Sequence, residues 1–557
     1  MPSKDPATYT QEAVETDQPN KKLHWKQRAA IKREQQYAQI PPEWRLDPLP
    51  SPLPRSTLDY INDCPLLTPL EHSITSTTSA TRLLSQIKSR ELSSLQVATA
   101  FCKRAAIAQQ LSRCCTEMFF GKAMKRAEEL DRYLEETGEL CGPLHGLPVS
   151  LKDGTDIEGE DTTLGWVGLA GRPAEKDCLL AECLRKQGAV LYCKTNIPQS
   201  LMMSDSYNHL FKQSVNSLNR NLISGGSSGG EGALIGCHGS IVGVGTDIGG
   251  SIRIPANLQG LYGLSPTVGR FPWHPSVIRD NIVNGVAGPL SCTIDTQEVF
   301  WESLLAAEPW NFEPTSYSIP WRSHLAAKPS RKLKIGYYVD DGMVKVQPPI
   351  ERAVHEVVEK LKSAGHEVVQ WDISSHREGQ RLWLKAVLAD GGRRFRKLCE
   401  QSDEPLVEGM LVGTEDDRLD VDEANQVSND RLAYQKSYMR RWMDAGVDAL
   451  IMPVQPWVGF PPKIWVQSSQ NVSYTSHWNL VDFAALAVPV TTASLGDVGS
   501  EAWKHHQPRD VSDDFNWKQY DPELVQGMPV GVQIVGGRFG EERCLAVAKV
   551  VEEALRQ

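Results

Sequence analysis

From about residue 79 onward, apolar residues recur at helical spacing. Leu83, Leu84 and Ile87 form one stripe, and Ala123, Ala127, Leu130 and Leu134 form another that Gly138 brings to a stop. Between them, Ser93 followed by Gln96 reads as a capping box that opens a helix running through Leu111. Short unbroken apolar runs alternate with these stripes. GLPVSLKD (146–153) reads as a strand, Cys178–Gln187 as a helix ended by Gly188, and AVLYCKT (189–195) as the next strand. Further on, LKIGYYV (333–339), IERAVHEVVEKLKSAG (350–365) and HEVVQW (366–371) predict strand, helix and strand. DALIMP (448–453), AVPVT (487–491) and GVQIVG (531–536) read as further buried strands. Helices alternating with buried strands predict an α/β fold, with helices on both faces of one sheet.

The first 70 residues break this pattern. A polar start passes into a basic, helix-compatible stretch (Lys21 to Ala38) and then a proline-rich segment containing Pro41, Pro42, Pro48, Pro50, Pro52 and Pro54. This reads as an arm lying over the core, residues 1–70, ahead of a body spanning 71–557. The apolar face of the basic stretch is thin, which predicts a solvated helix rather than a membrane-surface one.

Composition narrows the function classes. The chain has 557 residues, 59 Lys+Arg against 69 Asp+Glu, and a formal charge of −10. An acidic balance speaks against a nucleic-acid partner, which usually needs a basic stripe. With 40% hydrophobic and 23% charged residues the chain has ordinary globular composition and is not a disordered one. Twelve cysteines contain no CxxC pair, and Cys114 and Cys115 are adjacent, which is not a zinc spacing. They predict small buried residues in a reducing compartment. The polar N-terminus has no apolar signal core, and no run reaches about 18 apolar residues. The expectation is a soluble, cytoplasmic protein with no membrane anchor, no metal and no cofactor. At roughly 150 residues per domain, length alone predicts three or four domains, against one large enzyme domain.

The tract SGGSSGGEGALIGCHGSIVGVGTDIGGSIRIPA (224–256) carries the chemistry. Glycine at this density costs helices and strands about 0.5–1 kcal/mol per residue, so it signals close backbone approach or special backbone geometry. Gly243, Gly245 and Gly249 are spaced G-x-G-x-x-x-G, which misses the dinucleotide fingerprint. Gly225-Gly226-Ser227-Ser228-Gly229 fits GxSxG literally, but that device needs a histidine base, and none of the later histidines (His274, His355, His477) lies in a distinctive motif. A third reading joins Ser227 and Ser251, each preceded by a glycine pair, with Lys152 at the end of an apolar strand. A buried, neutral lysine can take the proton that a serine nucleophile must lose. Backbone N–H groups of the turn Asp247–Ser251 could receive a developing oxyanion. On local physics alone this catalytic reading and a tight loop without chemistry stand level.

The combination of motifs resembles the amidase signature family. The matching pieces are GLPVSLKD (146–153), TNIPQS (195–200), GGSSGGEGA (225–233), GVGTDIGGSIRIPA (243–256) and GMPVGVQIVG (527–536). The separations also match, 75 residues from Lys152 to Ser227 and 24 from there to Ser251. The resemblance spans roughly residues 75 to 555. AFCKRAAIAQQL (100–111) and PPEW (41–44) are similar to the fungal acetamidase-type branch, and the site is also similar to that of fatty acid amide hydrolases.

That resemblance implies one α/β/α sandwich with a central mixed sheet, in place of three or four domains. It also implies a Ser-Ser-Lys triad. Ser251 would be the nucleophile, Ser227 the bridging serine after a cis peptide bond, and Lys152 the base. The backbone of Ile248, Gly249, Gly250 and Ser251 would hold the oxyanion, and Leu201 would contact substrate. Ser228 and Thr246 read as supporting hydrogen-bond partners, and Asp247 with Arg253 as an internal ion pair bracing the turn. Trp273 is a candidate wall of the acyl pocket, though packing in the core is the stronger reading. The implied activity is hydrolysis of a small-molecule carboxylic amide, and a homodimer is compatible with it. An amidotransferase subunit delivering ammonia to a partner, and a non-catalytic homologue, are the alternatives. Pocket shape is expected from loops 201–212, 268–284 and 375–480.

Overall fold

The structure is a computed structural model that describes residues 23–273, 282–464 and 471–557. The first 22 residues of the arm and His274 therefore lie outside the described residues.

In chain order the strands are β1 (Cys115–Met118), β2 (Pro148–Lys152), β3 (Val190–Thr195), β4 (Tyr207–Asn208), β5 (Lys212–Gln213), β6 (Val242–Asp247), β7 (Tyr262–Ser265), β8 (Val286–Ser291), β9 (Lys334–Tyr337), β10 (Glu367–Gln370), β11 (Ala449–Pro453), β12 (Ala484–Thr492) and β13 (Pro529–Gly537). All but the β4–β5 hairpin join one eleven-stranded sheet in the order β1-β3-β2-β6-β8-β7-β12-β13-β11-β9-β10. The sheet is mixed. β2 runs parallel to both β3 and β6, whereas β8, β7, β12 and β13 pair antiparallel in succession.

Alternate residues of the strands feed opposite faces, as the pleat requires. Val149 and Leu151 of β2, Ala449 and Ile451 of β11 and Val532 and Ile534 of β13 enter one core with the helices Ala80–Lys88, Ile294–Leu305, Pro348–Ser363 and Glu541–Arg556. Leu450 and Met452 of β11 enter a separate core with Tyr474 and Trp478 from the helix Ser473–Val481. Helices thus cover both faces, giving the α/β/α sandwich with a mixed sheet. No helix among the described residues is long and apolar enough to cross a membrane.

Local signals account for much of this. The Ser93/Gln96 capping box is formed at the start of the helix Ser94–Ser112, and Gly138 ends the helix Phe120–Thr137 in a left-handed conformation. The helix Gly229–Gly236 inside the glycine-rich tract was not expected. Its glycines allow it to lie against neighbouring backbone: a Cβ at Gly230 would run into the main chain of Asn196 and Cys114. Tertiary proximity here outweighs the poor helix propensity of glycine.

The basic stretch corrects a second expectation. Its helix, Trp25–Ala38, is not solvated all round, because Ala29, Lys32 and Gln36 are buried along one face. Beside a small apolar contact of Trp25 and Ala29 with Val167, Leu210 and Phe211, docking is polar, which is why the thin apolar face misled. Lys32 Nζ meets Glu117 at 2.6 Å and Asp161 at 2.7 Å, and the Gln36 amide donates to the carbonyls of Cys115 and Thr116 on β1. Burial works against the Lys32 ammonium, yet the two facing carboxylates hold it above its usual range, while burial pushes Glu117 up to about 7. Removing one partner of a buried pair costs about 3 kcal/mol. Lys32→Ala should therefore lower the unfolding free energy by about that amount and expose 25–38 to protease. An unchanged denaturation midpoint would contradict polar docking of this helix.

Candidate active site

Sheet topology brings the first pieces together. Lys152 is the last residue of β2, and Thr246 and Asp247 are the last of β6. The two strands are parallel neighbours, so their carboxyl ends lie side by side, the usual place for a site in an α/β sheet. Ser227 lies just before the helix Gly229–Gly236, which packs against β2 and β6. The Gly226–Ser227 peptide is cis.

These elements place Lys152 Nζ 2.7 Å from Ser227 Oγ and 2.7 Å from Thr246 Oγ1, with the Thr246 carbonyl at 3.4 Å. Lys152 is fully buried, and all three partners are uncharged. The contrast with Lys194 is instructive: that buried lysine has Asp153 within 3.3 Å. Burial pushes the Lys152 amine down to about 7, against the pull of the carboxylates of Asp247 and Glu231.

Those carboxylates are committed elsewhere. Asp247 forms the ion pair expected with Arg253, at 2.9 Å with both side chains fully buried. It also accepts from the N–H groups of Gly250 and Ile252 and from the Asn479 amide. Burial disfavours its charge, but Arg253 and these donors hold the carboxyl below its usual range. Arg253 also donates to the Thr475 carbonyl, Gln533 and Asn479. The Glu231 carboxyl lies 2.6 Å from Ser150 Oγ and accepts from Thr195 Oγ1 at 2.9 Å, and burial pushes it up to about 7.

The turn Asp247–Ser251 is fixed from outside. Trp383 Nε1 donates to the Ile248 carbonyl at 2.8 Å, and Thr475 Oγ1 donates to the Gly249 carbonyl at 2.5 Å. Gly250 has φ 125°, a conformation L side chains avoid, and a Cβ there would run into Thr475. With these carbonyls held outward, the N–H groups of Ile248, Gly249 and Ser251 have no acceptor among the described residues. The Gly250 N–H differs from the expected set of four, since it is bonded to Asp247 at 2.7 Å.

Ser251 and Ser227 wall a common cavity of about 190 Å³ with Leu201, Ile248 and Thr246. The Ser228 N–H donates to the Ser251 carbonyl, while Ser228 Oγ bridges the Thr246 backbone. Ser227, Thr246, Asp247, Ile248 and Ser251 of the glycine-rich tract wall this cavity together with Leu201, and Lys152 stands behind it, bonded to Ser227 and Thr246. Trp273 also walls it, half-buried, while packing against the core. Among the described residues no histidine bonds either serine; His477 is packed against Trp478, Tyr438 and His376 instead.

Sequence reasoning missed Glu231, Trp383, Thr475, Asn479 and Gln533. Only Glu231 carried a local signal, as the sole acid of the GGSSGGEGA motif.

The chain belongs to the amidase family, whose model matches residues 96–545. It is 37% identical over 548 residues to the acetamidase of Emericella nidulans, covering 95% of this chain and 98% of that protein. It is 37% identical over 480 residues to Amidase 1 of Gibberella moniliformis, covering 84% and 91%. Among solved structures, a fatty acid amide hydrolase superposes with a TM-score of 0.90 at 34% identity, covering 96% of both chains. A bacterial aryl acylamidase of the amidase signature family shares the fold, with a TM-score of 0.67 at 20% identity over 86% of this chain and 97% of that one. The protein is thus an amidohydrolase of the amidase signature family.

The brace on the turn is testable. Thr475→Val keeps the side-chain shape but removes the bond to the Gly249 carbonyl. Loss of an oxyanion donor costs about 100-fold or more, so if the N–H groups of this turn act as such donors, loosening one should lower kcat by roughly 10-fold with KM little changed. A kcat within twofold of the parent would show that the turn holds without Thr475.

Proposed function

We propose that the enzyme cleaves its amide through an acyl-enzyme on Ser251, with Ser227 and Lys152 moving the proton. The observation that carries this reading is the fully buried Lys152 amine 2.7 Å from Ser227 Oγ, with no carboxylate in contact with it among the described residues. Neutral Lys152 takes the proton of Ser227, which draws one from Ser251 as that oxygen attacks the carbonyl carbon. The oxyanion rests on the free N–H groups of Ile248, Gly249 and Ser251. The proton returns through Ser227 to the departing nitrogen, the C–N bond breaks, and ammonia or an amine leaves. Water then adds to the ester by the same relay, releasing the carboxylate and Ser251. Residues of the chain supply every proton transfer in this scheme.

Two further readings accompany it. Acetamidases and amidases match along nearly their whole length, which supports a self-contained hydrolase over a subunit passing ammonia to a partner. The twelve cysteines are unpaired, which fits a reducing compartment such as the cytoplasm.

Two measurements check the chemistry. Ser251→Ala should abolish turnover and covalent labelling by a fluorophosphonate, whereas retained labelling at Ser227 would move the nucleophile there. The base must be unprotonated to act, so kcat/KM should fall as pH drops through about 7 and level off above it. Lys152→Ala should remove that limb and cost most near neutrality. A profile that falls between pH 7 and 9 would contradict a neutral lysine base.

A further inference from the structure

Three oxygen-to-oxygen contacts run in a line close to Lys152. The Glu231 carboxyl stands 2.6 Å from Ser150 Oγ, Ser150 Oγ 2.9 Å from Ser240 Oγ, and Ser240 Oγ 2.9 Å from the Val242 carbonyl. All four residues are buried. Each contact needs one proton between its two oxygens, and the carbonyl at the end of the line has none to give. The two serine hydroxyls supply one each. Tyr192, beside Ser240, adds none, because its hydroxyl donates to the Gly239 carbonyl at 2.6 Å.

The third proton has to come from Glu231. Ser240 then donates to the Val242 carbonyl, Ser150 to Ser240, and Glu231 Oε2 to Ser150. Glu231 Oε1 accepts from Thr195 Oγ1 at 2.9 Å, so the acid form is satisfied at both oxygens. An ionised Glu231 would leave one of the three contacts as two lone pairs face to face. We propose that Glu231 is a protonated carboxylic acid at neutral pH and, by staying uncharged, acts as a positioning residue that keeps Lys152 an uncharged base. The second half of this statement rests on the relay proposed above.

The packing supports both halves. Glu231 reaches from the helix Gly229–Gly236 to Ser150 on β2, two residues before Lys152, and to Thr195 on β3. Gly243 on β6 makes room for it, since a Cβ there would run into the Glu231 carboxyl and the Ser150 hydroxyl. Burial raises the carboxyl, the same direction that the proton balance requires. The titratable groups facing it are Lys152 on β2, Cys115 on β1 and Cys193 on β3. Cys114 pulls the Cys115 thiol down, but Cys193 and burial lift it well above its usual range, and burial lifts Cys193, so neither thiol is charged. Asp247 on β6 also acts on Lys152, with its own charge fixed by Arg253. An ionised Glu231 would add a second negative charge and pull a proton onto the lysine.

Infrared difference spectroscopy reads the acid directly. Glu231→Gln keeps a donor toward Ser150 and an acceptor toward Thr195. The parent-minus-variant spectrum at neutral pH should contain the C=O stretch of a protonated carboxyl, and that band should shift in D2O. A carboxylate signature in its place would overturn the proposal. Ser240→Ala tests the role. It frees the Ser150 proton to bond Glu231, so the acid ionises and raises the lysine midpoint. The acid limb of kcat/KM should then move to higher pH by roughly one unit. Adding Glu231→Gln to Ser240→Ala should return the limb to the parent position. An unmoved limb in Ser240→Ala, or a shift that survives Glu231→Gln, would overturn the role given to Glu231. The band does not depend on turnover, so the two readings fail separately. A parent profile without a Lys152-dependent limb, beside an intact band, fails the lysine base and the tuning of it while the protonated acid stands.

Discussion

The site depends on a buried lysine that no carboxylate contacts among the described residues. Removing an ammonium from water is costly, and a buried lysine normally keeps its proton only beside a carboxylate. Lys194 shows that arrangement with Asp153 in the same sheet. Lys152 has two acids in its neighbourhood, yet neither is its partner. Asp247 is saturated by Arg253, Asn479 and two backbone N–H groups, and Glu231 by the hydroxyls of Ser150 and Thr195. The consequence is an amine whose proton is held loosely, at hydrogen-bond distance from a serine.

The same residues that occupy Asp247 also build the turn. Its carboxylate gathers Gly250, Ile252 and Arg253, and Arg253 reaches on to Thr475, Asn479 and Gln533. Thr475 and Trp383 then bond two carbonyls of the turn, and the N–H groups of Ile248, Gly249 and Ser251 have no acceptor among the described residues. One network thus keeps the lysine without a contacting carboxylate and, on the proposed mechanism, sets the backbone for an oxyanion. This is electrostatic preorganisation: the donors are in place before charge develops.

How much of this could be read from the sequence follows from the range of each interaction. The Ser93/Gln96 capping box and the Gly138 stop act within one turn, and both stand where the pattern put them. The strand carrying Lys152 was legible as an apolar run, whereas β6, which carries Thr246, is interrupted by Gly243 and Gly245 and was not read as one. β1 was not, because Cys115–Met118 is four residues at the sheet edge with no alternation. The helix Gly229–Gly236 was hidden by its own glycines, whose reason is the proximity of Asn196 and Cys114. Motif resemblance located the two serines and the lysine. Trp383, Thr475 and Asn479 were invisible, since they reach the turn from more than 130 residues away in the chain and leave no local spacing to read.

The central claim is the protonation state of Lys152, and it can be measured directly. Protein labelled with carbon-13 at the lysine ε-methylene gives one resonance per lysine, and Lys152→Met identifies the one of interest. Its titration should show a midpoint near 7, far below the ordinary 10.5 of a lysine. A midpoint remaining near 10.5 would mean that the amine stays charged beside Ser227 at neutral pH, and the account of Lys152 as the base would fail.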